Sequence, residues 1–319
     1  MSWLAATAGA LVLGVGVPWL GVRMLVPVLE EGARVENYRG CPVFLGLGIA
    51  WLLWAGAAIV YGVVASWSED PDSVIGLLTL AGPLALVAFS LGLVDDAFGS
   101  SAARGFKGHL RQLARGRLTT GGLKLIGISA AALVVGLVLA QIGAPESPGT
   151  ADVVTSLGIG TLGGAAIALT SNFVNLVDLR PGRALKMYAV LVVLGVASTV
   201  LLLPGRAGHE ASAERTLLDA VSLAVFLLGP VAATWTYDLG ERGMLGDAGA
   251  NAMGAVAGMF VVAGLPLWAL GSYAALLFAL NVASERVSFS RVIEGNALLR
   301  RLDALGRLPA EESSAGEVE

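Results

Sequence analysis

Four aspartates stand at the ends of long apolar runs, where they could act on a phosphorylated substrate. Asp95 and Asp96 lie in "GLVDDAFG", Asp178 follows "NFVNLV", and Asp247 lies in "MLGDAGAN". Carboxylates gathered near an apolar region repel one another and need a compensating cation, either a bound metal or a basic partner. Oxygen ligands without a neighbouring His or Cys favour Mg²⁺, with Mn²⁺ as the alternative. A diphosphate suits such a site, because Mg²⁺ usually keeps coordination positions for substrate phosphates.

Two asparagines accompany the third of these aspartates. Asn172, Asn175 and Asp178 follow one another at i, i+3 and i+6. In a helix this spacing places them on one broad face over the last two turns. The sequence therefore predicts a polar face at the end of this apolar run.

Basic residues cluster between the first two motifs. In "RGFKGHLRQLARGRL", Lys107, Arg111 and Arg115 repeat every four residues, and Lys124 opens the next apolar run. If the loop is helical, the first three form a positive stripe that can hold phosphate groups or anionic lipid headgroups. A stripe that only obeys the positive-inside rule is the alternative.

The candidate residues also have structural interpretations, which the sequence leaves open. Asp247 ahead of a helix is typical of an N-cap. Asp95 and Asp96 could simply end a helix at water, and Asn172 and Asn175 could form interhelical hydrogen bonds. These interpretations do not explain why all the groups fall on one side of the membrane at one depth.

The elements that must position these residues are membrane spans. Of 319 residues, 56% are hydrophobic and 14% are charged, which excludes an ordinary soluble domain. Stretches of about 20 apolar residues predict an all-α, polytopic membrane helix bundle. We expect nine spans, with the last two either a tight pair or one span and a re-entrant piece; they cover residues 3–22, 42–66, 74–94, 123–141, 153–174, 185–203, 216–236, 248–263 and 265–283.

The distribution of Lys and Arg predicts the orientation. Every Lys and Arg except Arg206 and Arg215 falls on one side of the predicted spans: Lys124 at the start of the fourth span, and the others in residues 23–41, 95–122, 175–186, 237–247 and after 284. By the positive-inside rule the amino terminus lies outside, and the carboxyl terminus and the carboxylates lie in the cytoplasm. We therefore expect a multi-pass protein of the cell (inner) membrane whose site faces the cytoplasm.

We expect two regions along the chain. Residues 1–284 form the transmembrane domain and residues 285–319 a cytoplasmic tail. Within the tail, leucines alternate with arginines between 291 and 308, which predicts an amphipathic helix on the inner membrane surface. The final "PAEESSAGEVE" is typical of a disordered acidic end.

Four motifs together resemble one enzyme family. "NYRGCPVFLGLGIA", "GLVDDAFG", "NFVNLVDLRPG" and "MLGDAGANAMG" occur in the order and relative positions seen in the polyprenyl-phosphate sugar-1-phosphate transferases. This family includes phospho-N-acetylmuramoyl-pentapeptide transferase and the enzymes that start teichoic acid and O-antigen synthesis, and the resemblance covers roughly residues 1–284. It implies transfer of a sugar 1-phosphate, of N-acetylhexosamine type, from a UDP-sugar to polyprenyl phosphate, with release of UMP, in cell-envelope glycan synthesis.

The resemblance also implies roles for individual residues. Asp95 and Asp96 match the family's Asp pair, which handles the lipid phosphate, and Asn175 and Asp247 match positions that meet Mg²⁺ and the diphosphate. Asp178 and Asn172 match the first Asp and the leading Asn of the next motif. The full prediction is catalytic Asp95, Asp96 and Asp178; substrate-binding Asn172, Lys124, Lys107, Arg111 and Arg180; and metal-binding Asn175 and Asp247.

The chain departs from the family pattern in two places. Pro181 stands where the motif has its second Asp, beside the unusual Arg180 and Arg183, and the His-rich cytoplasmic motif has no counterpart. A non-catalytic relative that binds a polyprenyl lipid or a partner protein is therefore an alternative. A transporter is another, although it would place polar groups near the membrane midplane. The expected partners are the lipid phosphate, the nucleotide sugar and the membrane, without nucleic acid, and a homodimer stays open.

Overall fold

Helices make up most of the protein in the computed structural model, which describes residues 7–67, 74–99, 105–142, 149–206 and 213–308. The helices are α1 (Thr7–Glu31, with a π-helical stretch at Ala10–Gly16), α2 (Ile49–Ser66), α3 (Leu78–Phe98, after a 3₁₀ turn at Val74–Leu77), α4 (Gly105–Leu113), α5 (Thr120–Leu139), α6 (Thr150–Val177), α7 (Arg183–Arg206), α8 (Ala213–Leu239), α9 (Gly246–Gly264), α10 (Leu267–Ser284), α11 (Phe289–Gly295) and α12 (Ala297–Ala304).

Seven stretches among the described residues are long and apolar enough to cross a membrane: Thr7–Glu31, Ile49–Ser66, Val74–Phe98, Thr120–Leu139, Thr150–Val177, Leu217–Leu239 and Leu267–Ser284. The predicted class, a membrane bundle of α-helices, is thereby confirmed. Helices α7 and α9 occupy the positions of two further predicted spans but are not among these seven, so the count of nine stays a prediction. The last two predicted spans are separate helices, α9 and α10, joined by Leu265 and Pro266.

Helix α9 forms the centre of the bundle. All of its residues from Ala248 to Gly264 are buried, and it packs against α3, α6 and α7. The small side chains make this packing possible: a Cβ placed on Gly254 would lie 2.7 Å from the Cα of Ser171, and one on Gly258 would lie 2.8 Å from the Cβ of Thr170. Close approach of helix backbones at small residues is the usual means of helix association in membranes.

A small three-stranded sheet, which the sequence does not predict, joins two of the connections between helices. Strand β2 (Pro42–Leu45) pairs antiparallel with β1 (Arg34–Glu36) and parallel with β3 (Gly243–Met244). The sheet ties the connection before α2 to the connection before α9. It thereby fixes the backbone immediately ahead of Asp247.

The chain after α10 turns back onto the bundle. Glu294 of α11 contacts Arg180 in the loop before α7, and Asp303 of α12 contacts Arg183 at the start of α7. Several apolar side chains of this region are exposed, among them Leu298, Leu302 and Leu305. The segment predicted as one amphipathic helix is divided into α11 and α12 at Asn296, and its place on the inner membrane surface stays a prediction. Residues 309–319, which carry the predicted disordered end, lie outside the described residues.

Candidate functional site

One lysine joins two of the predicted aspartates where three helices meet. Lys124, in the first turn of α5, contacts Asp95 near the end of α3 at 2.8 Å, and its Nζ also donates to Asp247 at the start of α9. Only 11% of the lysine side chain is exposed, against 33% for Asp247. We call Asp95, Lys124 and Asp247 the carboxylate–lysine cluster. It is partly buried and opens to solvent on the side of Asp247.

Asp96 has a different environment from its neighbour in sequence. Its Oδ1 accepts a hydrogen bond from the backbone N–H of Asp247 at 2.9 Å, and its Oδ2 accepts one from Ala248 at 3.0 Å. These N–H groups belong to the first turn of α9 and have no partner within the helix. Gly246, at φ +69, leaves space for the carboxylate, because a Cβ there would lie 2.6 Å from Oδ2. Asp96 therefore caps α9 and positions Asp247.

A second set of contacts fixes the first turns of α9. The amide Nδ2 of Asn251 donates to the carbonyl oxygen of Asp247 at 2.7 Å. The hydroxyl of Ser171 on α6 donates to the carbonyl oxygen of Asn251 at 2.9 Å. Asp247 is thus held by α3 through Asp96 and by α6 through this relay. Such fixed geometry is what a site needs to hold reacting groups in register.

Asp178 lies directly after α6, beside the cluster. It is half-buried, and removal from bulk water raises the pKa of its carboxyl well above the ordinary value, with a further increase from three neighbouring carboxylates. The three are those of Asp238, Asp247 and Asp96. Burial and these neighbouring carboxylates therefore both oppose ionisation of Asp178.

Asp238 lies close to this group, although the motifs of the sequence do not include it. Asp238 is 4% exposed, and its Oδ2 accepts a hydrogen bond from the backbone N–H of Gly182 at 2.6 Å. This contact anchors the loop after α6 to the end of α8. The sequence does contain a feature that points to Asp238, because this residue ends a long apolar run in the same way as Asp95 does.

Glu241 is a second residue that the motifs do not include. Its backbone has a positive φ of 52°, which is unusual for a residue with a side chain. Its carboxylate accepts a hydrogen bond from Asn37 at 2.9 Å and forms an ion pair with Arg39 at 3.2 Å. Asn37 also accepts hydrogen bonds from the backbone of Arg39 and Cys41. The "NYRGC" motif therefore folds as a turn that holds the connection before β3.

The two asparagines of α6 have different surroundings. Asn172 donates to Asn281 of α10 at 2.6 Å, and Asn281 also donates to the carbonyl oxygen of Leu169. This is the interhelical hydrogen bonding that the sequence left as an alternative. Asn175 lies one turn closer to Asp178, is half-buried, and makes no side-chain hydrogen bond to any residue in the described ranges. Its amide is available to a ligand.

The predicted basic stripe is shorter than the sequence indicates. Helix α4 ends at Leu113, so Arg115 lies in the following turn and not on the helix. Arg111 is exposed in the last turn of α4, and the side chain of Lys107 lies outside the part of the chain that the structure describes. The ring Nδ1 of His109 lies 2.8 Å from Oγ1 of Thr119, which joins α4 to the start of α5.

Arg180 is placed against the tail. It forms an ion pair with Glu294 of α11, and its guanidinium carbon lies 5.1 Å from the ring centre of Tyr38. Its described contacts are therefore with the tail and the "NYRGC" turn. The cluster of Asp95, Lys124 and Asp247 has no described contact with it.

The oxygen-bearing side chains near the cluster can be compared with those that usually bind a divalent cation. Within the described ranges, no three side chains of His, Cys, Asp or Glu are arranged as a metal-binding group. Mg²⁺, however, commonly takes one or two protein carboxylates and completes its shell with water and phosphate oxygens. Asp247, with a third of its side chain exposed, and the amide of Asn175 each offer an oxygen of this kind. The types of these oxygen donors are compatible with Mg²⁺, and a magnesium site here stays a prediction.

Comparison with protein-family models found no match for this chain, and a search of curated proteins found none either. The resemblance carried by the four motifs stays a prediction.

Proposed function

We propose that this protein transfers a sugar 1-phosphate, of N-acetylhexosamine type, from a UDP-sugar to polyprenyl phosphate and releases UMP, as a step of cell-envelope glycan synthesis. The observation that supports this proposal most directly is the position of Lys124 between Asp95 and Asp247 at the meeting point of three helix ends. This arrangement holds two carboxylates and a cation at the boundary between an apolar bundle and solvent.

The transfer reaction requires a site at the boundary between the membrane and water. One substrate comes from the lipid and the other from water, and both are anionic, so their approach is opposed by charge repulsion. Fixed cations lower that barrier by positioning the phosphates and stabilising the charge that develops in the transition state. When bound, Mg²⁺ would supply this charge stabilisation at the diphosphate.

The residues of the chain then have separable roles. Asp247 and Asn175 would hold the metal, and Asp95 with Lys124 would orient the lipid phosphate. Asp96 positions Asp247 through the backbone of α9. Asp178 would lie beside these groups, as a carboxyl whose ionisation a bound cation would favour. In this proposal the site faces the cytoplasm of the cell (inner) membrane, following the positive-inside distribution of Lys and Arg.

A non-catalytic lipid-binding protein is the second candidate, and one observation favours it. Arg183 and Arg180, which follow Asp178 in a motif that has lost an aspartate, are both engaged by carboxylates of the tail. A loop fastened in this way has fewer groups available for a nucleotide sugar.

The test is UMP release by the purified protein in detergent, with undecaprenyl phosphate, Mg²⁺ and a panel of UDP-sugars. The Asp95→Asn variant should lose turnover with the active donor. Asp152→Asn is the matched control, because Asp152 caps the opposite end of α6 and should leave turnover unchanged. Turnover that survives in Asp95→Asn would remove this residue from the chemistry. Folded protein that releases no UMP with any donor would favour the lipid-binding protein.

A further inference from the structure

Four arginines line one cavity on the side of the loop after α6 that faces the tail. The cavity has a volume of about 460 Å³ and is formed by the "NYRGC" turn, that loop and helices α11 and α12. Its arginines are Arg39, Arg180, Arg300 and Arg307, and the carboxylates that line it are those of Glu294 and Asp303. Four guanidinium groups lie against these two carboxylates and that of Glu241, which pairs with Arg39 at 3.2 Å, so positive charge is in excess at the cavity.

The guanidinium groups are held in place by contacts that leave some of their donors free. Tyr38 anchors two of them, since its ring centre lies 5.2 Å from the guanidinium carbon of Arg39 and 5.1 Å from that of Arg180. The Nε of Arg39 also donates to the hydroxyl of Tyr38 at 2.6 Å. The Nε of Arg307 donates to the carbonyl oxygen of Pro181 at 2.9 Å. These contacts fix the position of each cation without consuming all of its N–H groups.

Each of the four keeps at least one terminal nitrogen without an acceptor among the residues that the structure describes. For Arg39, Arg180 and Arg307 this nitrogen is Nη1, and for Arg300 it is Nη2. Arg300 is the least committed, because its guanidinium donates only to the carbonyl oxygen of Glu294 within that part of the chain. Arginines gathered around a cavity with spare donors are the usual means of binding a phosphate group.

We propose that this cavity is a binding site for a phosphate-bearing anion. The inference goes beyond the transfer reaction and does not depend on it. The bound phosphate would accept hydrogen bonds from the "NYRGC" turn, the loop after α6 and the tail together, and it would relieve the repulsion between the four guanidinium groups. Binding would therefore fasten the tail to the bundle. A soluble phosphate compound and an anionic lipid headgroup share this chemistry.

The test uses inorganic pyrophosphate as the probe and the full chain in an uncharged detergent. EDTA removes divalent cations, so that the carboxylate–lysine cluster cannot recruit the anion, and NaCl keeps the ionic strength constant. We expect a saturable rise in Tm with pyrophosphate, and slower cleavage of the tail by trypsin. Absence of a saturable rise above the NaCl control would overturn the proposal.

Two neighbouring arginines of α12 provide a matched pair. Arg300→Gln should weaken pyrophosphate binding at least about tenfold, the size expected for loss of a charge-assisted hydrogen bond. Arg301→Gln removes the same charge from the same exposed helix but does not line the cavity, so its affinity should stay that of the wild type. Equal losses in both variants would show a general effect of surface charge and overturn the site.

The source of the phosphate is identified with nanodiscs of phosphatidylcholine with or without phosphatidylglycerol. If the headgroup is the ligand, phosphatidylglycerol should compete with pyrophosphate and lower its apparent affinity in the wild type. If the ligand is soluble, the two lipid compositions should give the same affinity. Both results are compatible with a phosphate site in the cavity, and each identifies whether the ligand is a lipid headgroup or a soluble compound.

Discussion

Arg183 and Asp303 form a two-point ion pair between the start of α7 and helix α12, with Nε–Oδ1 at 2.7 Å and Nη2–Oδ2 at 3.0 Å. Arg307 donates to the same carboxylate at 2.7 Å. Lys186 completes the attachment, because its Nζ donates to carbonyl oxygens at the end of α12. A positive charge there also interacts favourably with the helix dipole. The nearly buried carboxylate of Asp303 is therefore the centre of the polar contacts that attach the tail to the bundle.

We expect the variant Asp303→Asn to release the tail. The amide offers one acceptor where the carboxylate offered two and leaves Arg183 buried without a counter-charge, which costs about 3 kcal/mol. Limited proteolysis with trypsin should cleave after the arginines of α11 and α12 faster than in the wild type. Glu294→Gln is the control, since its pair with Arg180 is half-exposed and worth less than about 1 kcal/mol. Equal cleavage rates in the two variants would contradict this role of Asp303.

The same carboxylate predicts how tail attachment depends on pH. Burial opposes ionisation of Asp303, but the hydrogen bond from Arg183 and the charges of Arg307 and Lys186 hold its pKa below the usual value. A group with a lowered pKa in the folded state stabilises fully above its unfolded value of about 4, and this contribution is lost as the pH falls through the lowered pKa. Hydrogen exchange of residues 289–308, corrected for the intrinsic rate, should show equal protection at pH 5 and pH 7. Loss of protection between these values would refute the assignment.

Removal of the lysine from the carboxylate–lysine cluster should destabilise the protein. In Lys124→Met, Asp95 and Asp247 are left side by side without their cation, at a cost of about 3 kcal/mol. We expect a lower Tm in detergent, which millimolar Mg²⁺ partly restores because the metal replaces the lost charge. Arg111→Gln, an exposed change on α4, should leave Tm and its response to Mg²⁺ as in the wild type. If Mg²⁺ does not change the Tm of Lys124→Met, that result would argue against a cation site at this cluster.

The adjacent aspartates should differ when each is changed to Asn. Both carboxylate oxygens of Asp96 accept backbone hydrogen bonds, and Asp96→Asn puts an NH₂ donor in place of one of them. We therefore expect this variant to lose about 1–2 kcal/mol of stability. Asp95→Asn leaves Lys124 paired with Asp247, and we expect a smaller decrease in Tm with a complete loss of UMP release. Thermal unfolding and turnover of both variants test the distinction. A larger loss of stability in Asp95→Asn would reverse the two roles.

Asp247→Ala should abolish Mg²⁺-dependent turnover while the protein still inserts into the membrane. Its side chain is the most exposed of the cluster, so its removal leaves the packing of α9 intact and takes away a metal ligand. Turnover measured over a range of Mg²⁺ concentrations, beside a fluorescence assay of folded protein in detergent, tests this expectation. Activity equal to that of the wild type would remove Asp247 from the metal site.

The sequence predicted the helices well where a long apolar run has a polar residue at its end. The run before Asp95 and the run after Lys124 have such ends, and the structure brings these two residues into contact with Asp247. Their closeness could be inferred because groups at the ends of spans share a depth. The individual ion pairs could not be inferred, because the periodicity within one helix carries no information about which helices lie beside it.

The remaining features depend on contacts between distant parts of the chain. The sheet uses strands of two to four residues, too short for an alternating pattern to be visible. The attachment of Asp303 to Arg183 joins residues 120 positions apart. In the sequence, Asp303 is one charge in a polar tail, and only the folded arrangement removes it from water.

Helix α9 has a consequence for how the chain is assembled in the bilayer during synthesis. It carries Asp247 and Asn251 in its first turns, and its residues from Ala248 to Gly264 are enclosed by protein. A nascent segment partitions from the translocon into lipid according to its own hydrophobicity, and polar groups oppose that step. Helices α3, α6 and α7 precede α9 in the chain, so they are synthesised before it and we expect them to receive it. If α9 is the span that the sequence predicts, its insertion should depend on prior folding of these neighbours.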